Sequence, residues 1–109
     1  MSDDPEVISR YLRAADQGDV EALAACFAPA GFVIDEDQKY EGHDEIVGWR
    51  QELAGKYVYT SELTGTEAVD DTEYRAFIHI EGNFPGGVAD LTYRFIVRDG
   101  LIAALNIAP

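Results

Sequence analysis

Few side chains in this sequence combine a reactive group with a setting that could use it. Asp35 follows Phe32-Val33-Ile34, a short β-rich run, and can therefore sit half inside the protein. A carboxylate held there has a raised pKa and can take a proton from a carbon beside a carbonyl. The plainer reading makes Asp35 the first residue of a solvated turn, Asp35-Glu36-Asp37. Tyr11 shares an apolar stripe at helical spacing with Val7, Ile8, Leu12 and Ala15. Its hydroxyl could donate to a ligand oxygen, or its ring could be core. His79 lies in a strand where Arg75, Phe77, His79 and Glu81 share one face. If that face looks inward, His79 can shuttle a proton; if it looks outward, Tyr74, Ala76, Ile78 and Ile80 are core. Residues 88–98 pose the same choice, with Leu91, Tyr93, Phe95 and Val97 on one face and Asp90, Thr92, Arg94, Ile96 and Arg98 on the other. Alternation favours the apolar sets inside. His43 reads as a helix start, and neither histidine belongs to a spaced ligand set, so no metal site is expected. Cys26 has no histidine beside it, and neither a phosphate-binding glycine loop nor a serine elbow occurs.

The elements that must position these groups are legible in outline. Asp4-Pro5 opens a first helix, with Asp4 as cap and Pro5 at the first helical position, and Gly18 stops it. Asp19 caps a second, shorter helix whose stripe is Val20, Leu23, Ala24 and Phe27, ended by Pro29 and Gly31. Residues 32–40 form a small hairpin. A third helix starts at His43 or Asp44, offers Ile46, Val47, Trp49 and Leu53 for burial, and stops at Gly55. Residues 57–69 are rich in Tyr, Val and Thr, with Gly65 as a bulge or bend. Strands follow over 73–82, 88–98 and 101–108. Asn83-Phe84-Pro85-Gly86-Gly87 turns the chain between the first two, and Asp99-Gly100 is a two-residue hairpin signal. Helices set to one side of an antiparallel sheet make an α+β domain, with a pocket between the layers.

Composition narrows the partners. The chain has 109 residues, with 21 acidic and 8 basic side chains and a formal net charge of −13. That charge repels phosphate backbones and anionic lipid, so neither nucleic acid nor a membrane is an expected partner. No apolar run reaches the roughly 20 residues of a membrane span, and the acidic start lacks the apolar core of a signal peptide. The single cysteine suits a reducing, cytoplasmic setting. Two neighbouring strands that each offer an apolar and a mixed face imply that both sheet faces are covered. Helices would cover one face and a second subunit the other, which predicts a homodimer through the sheet.

The element order, with these residues, resembles the nuclear transport factor 2-like superfamily, which includes the SnoaL-like cyclases and the ketosteroid isomerases. The resemblance covers nearly the whole chain. It rests on Arg10-Tyr11, Asp16-Gln-Gly-Asp-Val-Glu-Ala22, Val33-Ile-Asp35, Gly42-His-Asp-Glu-Ile46 with Trp49, and Asp99-Gly100-Leu-Ile102. A narrower likeness, to small, mostly uncharacterised members, rests on Gly82-Asn-Phe-Pro-Gly86 and Asp90-Leu-Thr-Tyr-Arg-Phe95. The resemblance implies one domain over 1–109, a cone-shaped, strongly curved, mostly antiparallel sheet on three helices, a central pocket and no cofactor. Ketosteroid isomerases use a carboxylate base, with a tyrosine and a protonated aspartic acid as oxyanion donors. Matched without a gap, Tyr11 falls on the tyrosine position and Asp35 on the base. The third position falls at Thr92 or Leu91, with the acid Asp90 close by but out of place. Matching to the family also turns Arg75, Phe77, His79 and Glu81 inward, against the alternation. The expected pocket walls are Phe27, Trp49, Tyr57, Phe77, Phe84 and Leu105.

Two functional readings stand. One is a small isomerase- or cyclase-type enzyme acting on an apolar carbonyl compound, with Asp35 as base, Tyr11 as oxyanion donor, and His79, Asp90 or Thr92 in support. The other is a non-catalytic dimeric module that binds a small molecule or a partner.

Overall fold

The computed structural model describes residues 5–109, and the expected cap Asp4 lies outside them. Pro5 occupies the N-cap position, and α1 runs Glu6–Gln17 until Gly18, at φ 69°, turns the chain left-handed. Only glycine adopts that conformation at no cost in Cβ strain. The Asp19 carboxylate accepts from the Ala22 amide at 3.1 Å and caps α2, Val20–Ala25. The chain is already extended from Phe27, which corrects the expected helical end at Pro29. Strand β1, Phe27–Asp35, pairs with β6 at Phe27–Ile102 and again from Phe32–Ala104, with a register shift between. Pro29 sits inside that irregularity, where a missing N–H breaks no ladder bond.

β1 turns into β2, Gln38–Glu41, through Glu36 and Asp37, both at positive φ. Helix α3, His43–Lys56, runs through Gly55 and ends at Tyr57. A further meander follows: β3 Tyr59–Ala68, β4 Glu73–Gly82, β5 Val88–Arg98 and β6 Leu101–Ala108. The expected bulge is present, because the β3–β4 register shifts between Leu63 and Gly65. Asp99 and Gly100 turn β5 into β6 at φ 53° and 76°, as a two-residue hairpin of this type requires. The six strands lie in the order β2-β1-β6-β5-β4-β3, antiparallel except for β1 with β6. Three helices against this curved open sheet make a mixed α+β fold.

The inner face belongs to the apolar sets. Ala76 and Ile78 of β4, Tyr93, Phe95 and Val97 of β5, and Ile102, Leu105 and Ile107 of β6 are buried in one core with Val7, Tyr11, Leu23, Ile46 and Trp49 of the helices. The family-based expectation that Arg75, Phe77, His79 and Glu81 face inward is thereby corrected. Directly opposed residues share a face, and Phe77 opposes Thr92 while His79 opposes Asp90, so all four lie on the outer face. Burying Arg75, Phe77, His79 and Glu81 instead would place a charge or a histidine at three of those four inward positions, at a cost the apolar set avoids. No helix of the described residues is long and apolar enough to cross a membrane.

Gly82 marks a tight crossing. A Cβ there would stand 2.5 Å from the Tyr59 Cβ and closer still to the Val58 carbonyl oxygen. Gly82→Ala is therefore expected to lower the unfolding free energy by about 1–3 kcal/mol, the usual cost of overpacking. Urea denaturation of the two proteins checks this.

Candidate functional site

Space remains where the sheet curls away from α3. A cavity of about 580 Å³ is lined by Asp35 of β1, Trp49, Arg50 and Leu53 of α3, Tyr59 of β3 and Tyr93 of β5, with Tyr57 and Phe84 at its side. A second cavity of about 410 Å³ lies toward the end of α1, lined among others by Leu12, Asp16, Gly18 and Ser61. Arg50, Tyr57, Tyr59 and Tyr93 line both, so these four side chains form the partition.

Asp35 ends β1 on the inner face, because Val33 and Asp35 oppose Leu105 and Ile107 on β6. It is half-buried. The indole Nε1 of Trp49 donates to Asp35 Oδ2 at 3.1 Å and fixes the carboxylate. Trp49 is itself held by a stacked contact with Tyr40, 6.0 Å between ring centroids. Burial pushes the Asp35 pKa up, against the opposing pull of the Trp49 hydrogen bond. A half-buried carboxylate of raised basicity on a cavity wall is the chemistry a general base needs.

Tyr11 is fully buried. Its ring packs edge-on against Phe27, Tyr93 and Phe95 at 5.9, 6.4 and 5.6 Å. It lines neither cavity, and its hydroxyl has no hydrogen-bond partner among the described residues. Burial raises its pKa, and Tyr93, Arg50, Tyr59 and Asp35 are the groups that act on it.

Of the expected walls, Trp49, Tyr57 and Phe84 line the larger cavity. Phe27 and Leu105 are core residues that touch neither cavity, and Phe77 is 36% exposed on the outer face. The structure does not bring His79, Asp90 or Thr92 to Asp35. His79 Nδ1 meets Asp90 Oδ1 at 2.7 Å and its Nε2 meets Glu81 Oε2 at 2.9 Å, on the far side of the sheet. Those two hydrogen bonds raise the His79 pKa, Asp90 contributing most. His43 starts α3 as expected, its ring Nε2 lying 3.0 Å from the Phe27 carbonyl oxygen.

Arg50 is the site residue that sequence reasoning missed. It is half-buried, Nη1 donates to the Tyr59 hydroxyl at 3.2 Å, and the guanidinium lies 5.3 Å from the Trp49 ring centroid. In Val47-Gly48-Trp49-Arg50-Gln51-Glu52 it reads as one more polar helix position. Only the tyrosines of β3 and β5 opposite it could have signalled otherwise.

Two outcomes follow from these environments. The folded state holds the Asp35 proton more tightly than the unfolded chain does, so ionising Asp35 costs stability. Wild type should lose stability relative to Asp35→Asn as pH rises from the ordinary carboxylate range through the raised native value, and the gap should stay constant above it. Urea melts at stepped pH check this. Removing an unpaired buried hydroxyl removes its desolvation cost, so Tyr11→Phe should leave the protein as stable or raise stability by about 1 kcal/mol. A thermal melt checks it.

The fold agrees with comparison to known proteins. The model of the SnoaL-like domain family matches residues 5–80. A putative polyketide cyclase from Sinorhizobium meliloti is 32% identical with a TM-score of 0.91, over 97% of this chain and 96% of that one. A protein of ketosteroid isomerase-like fold from Catenulispora acidiphila, crystallised with trimethylamine, is 16% identical at TM-score 0.86, over 96% and 85% of the two chains. A Δ5-3-ketosteroid isomerase from a Mycobacterium species is 19% identical at TM-score 0.77, over 95% and 90%. No curated protein matches. The family match over most of the chain, with a close structural likeness along its whole length, means that this chain belongs to the SnoaL-like family of the nuclear transport factor 2-like fold.

Proposed function

We propose that the chain is a small isomerase- or cyclase-type enzyme that takes an apolar carbonyl compound into the larger cavity, where Asp35 removes an α-proton. The observation that carries this reading is Asp35 itself, half-buried on the cavity wall, oriented by Trp49 and raised in pKa by burial. The likeness to a putative polyketide cyclase supports the substrate class. Tyr11 is the oxyanion donor in this reading, and its unspent hydroxyl supports that role. The cavity stops short of that hydroxyl, so Tyr93 must yield when substrate binds. The enzyme works without a cofactor, in the cytoplasm. It is a homodimer through the outer sheet face, where Phe77 is 36% exposed and Phe32 and Ile34 of β1 are half-buried.

A second reading is favoured by the enclosure of Tyr11 and by the outward placement of Asp90 and Thr92. These leave Asp35 without a ready acid partner in the cavity, as in a non-catalytic binding module.

A thermal-shift panel of ketosteroids and aromatic polyketides finds ligands. Solvent-deuterium exchange at the α-carbon of each hit, followed by NMR, then measures proton abstraction directly. Asp35→Asn should slow exchange by about 10²–10⁴-fold with an unchanged circular dichroism spectrum. Because the base acts ionised, the wild-type rate should climb with pH through the raised Asp35 value and level off above it. Hits that bind but exchange no faster than in buffer would support the binding module instead. For the dimer, sedimentation of Phe77→Asp should give a monomer where wild type gives a dimer.

A further inference from the structure

Arg50 is a cation in want of a counterion. Among the described residues no carboxylate lies within ion-pair distance of it. A guanidinium has several N–H donors, and the one hydrogen bond from this side chain goes to the Tyr59 hydroxyl. Its remaining donors front the two cavities whose partition it forms. Charged side chains at this depth are ordinarily paired, because a buried ion that loses water without gaining a partner is costly. With the cavities open, water supplies the partner. A ligand that fills the larger cavity expels that water, and a wholly neutral, apolar ligand would leave Arg50 only its Tyr59 hydrogen bond and the Trp49 ring face, with its charge uncompensated.

We propose that Arg50 is a specificity residue that receives a carboxylate of the ligand at the junction of the two cavities, so that the molecules this cavity takes are amphipathic carboxylates. Arg50 is the one cation among the described residues that line either cavity. Its planar donor fork fits a carboxylate bidentately. The other charges of the larger cavity are Asp35, Glu36 and Asp37, of which Glu36 and Asp37 lie in the exposed β1–β2 turn. They repel an anion, so they disfavour every pose except the one with the carboxylate inward at Arg50. The apolar body then lies against Leu53, Ile80, Phe84, Leu91 and Ile107. Asp35 does not neutralise Arg50 at contact, since its nearer partner is the Trp49 indole. This deepens the reading of the cavity as a small-molecule site and rests on it: the carbonyl substrate is one that also carries a carboxylate.

The test uses two probes of one shape, 2-naphthoate and its neutral isostere 2-naphthamide. Affinity is measured by calorimetry and occupancy by the indole N–H signal of Trp49, the single tryptophan. Wild type should bind the naphthoate about tenfold or more tighter than the amide, as hydrogen bonds to a charged group predict. Arg50→Gln should bring the naphthoate down to the amide's affinity without moving the amide, and Arg50→Lys should restore part of the difference. Asp35→Asn, which removes a like charge from the same cavity, should tighten the naphthoate alone. Equal affinities in wild type with the Trp49 signal moved would overturn the Arg50 assignment while leaving the cavity reading intact. No movement of Trp49 with either probe would overturn the cavity reading and the assignment with it. If Arg50→Gln fails to fold, the wild-type preference and Arg50→Lys still decide.

Discussion

The seam between the first strand and the last governs what the rest of the chain can do. A meander from β3 to β6 is an open sheet with no place for a carboxylate from the N-terminal half. Once β6 pairs in parallel with β1, Asp35 is fixed opposite Ile107, and Val33 opposite Leu105, all on the helix-facing side. Side chains alternate along a strand, so a slip of one residue would turn Asp35 into solvent and drive Ile34 inward. The burial of Val33 and Leu105 resists that slip, because neither leaves the core without losing its apolar contacts. The inward placement of Asp35 is thus enforced by its neighbours' hydrophobicity, and the Trp49 hydrogen bond then orients its carboxylate.

The larger cavity, about 580 Å³, is a compromise between apolar walls and polar groups: Leu53, Ile80, Leu91 and Ile107 line it beside Asp35, Arg50, Tyr59 and Tyr93. Helix α3 supplies both sides of this compromise from adjacent positions. Trp49 seals the core and turns its N–H to Asp35; Arg50, one residue on and about a quarter-turn round the helix, reaches across to Tyr59. Gly82 lets β4 and Tyr59 approach closely, and the Tyr59 hydroxyl lies 3.2 Å from Arg50 Nη1.

What could be read from the sequence follows from how local its causes are. Strands 73–82 and 88–98, the Gly65 bulge and the Asp99–Gly100 turn depend on alternation and on residues that accept unusual backbone angles. All of these are present in the structure. The start of β1 was not legible, because Pro29 and Gly31 break helices and strands alike, and the partner that extends Phe27 is Ile102 on the last strand. Asp35 and Tyr11 stood out through the family resemblance more than through their own spacing. Arg50 had no signal in its own stretch of sequence. Its meaning lies in what faces it across the cavity, and no single-strand or single-helix pattern records that.

Residue type misleads most on the outer face. His79, Asp90 and Glu81 form a tighter constellation of acid–base groups than anything in the cavity, with contacts of 2.7 and 2.9 Å. Yet they sit where water reaches them, with His79 held between two carboxylates. Those hydrogen bonds raise its pKa, Asp90 foremost, so the imidazole keeps its proton to higher pH. A charged His79 offsets acid on a molecule of net charge −13, and that help is complete below the ordinary histidine value and fades as pH rises through the raised one. Arg75 does similar work against Glu67 at 3.4 Å. The cavity groups are fewer and less neatly paired, and for that reason they are the ones with capacity to spare: a carboxylate held by one indole, and a guanidinium with one hydrogen bond to a phenol and an indole face beside it. Satisfied clusters stabilise what is already there, whereas these unmet donors and acceptors are what a ligand can complete.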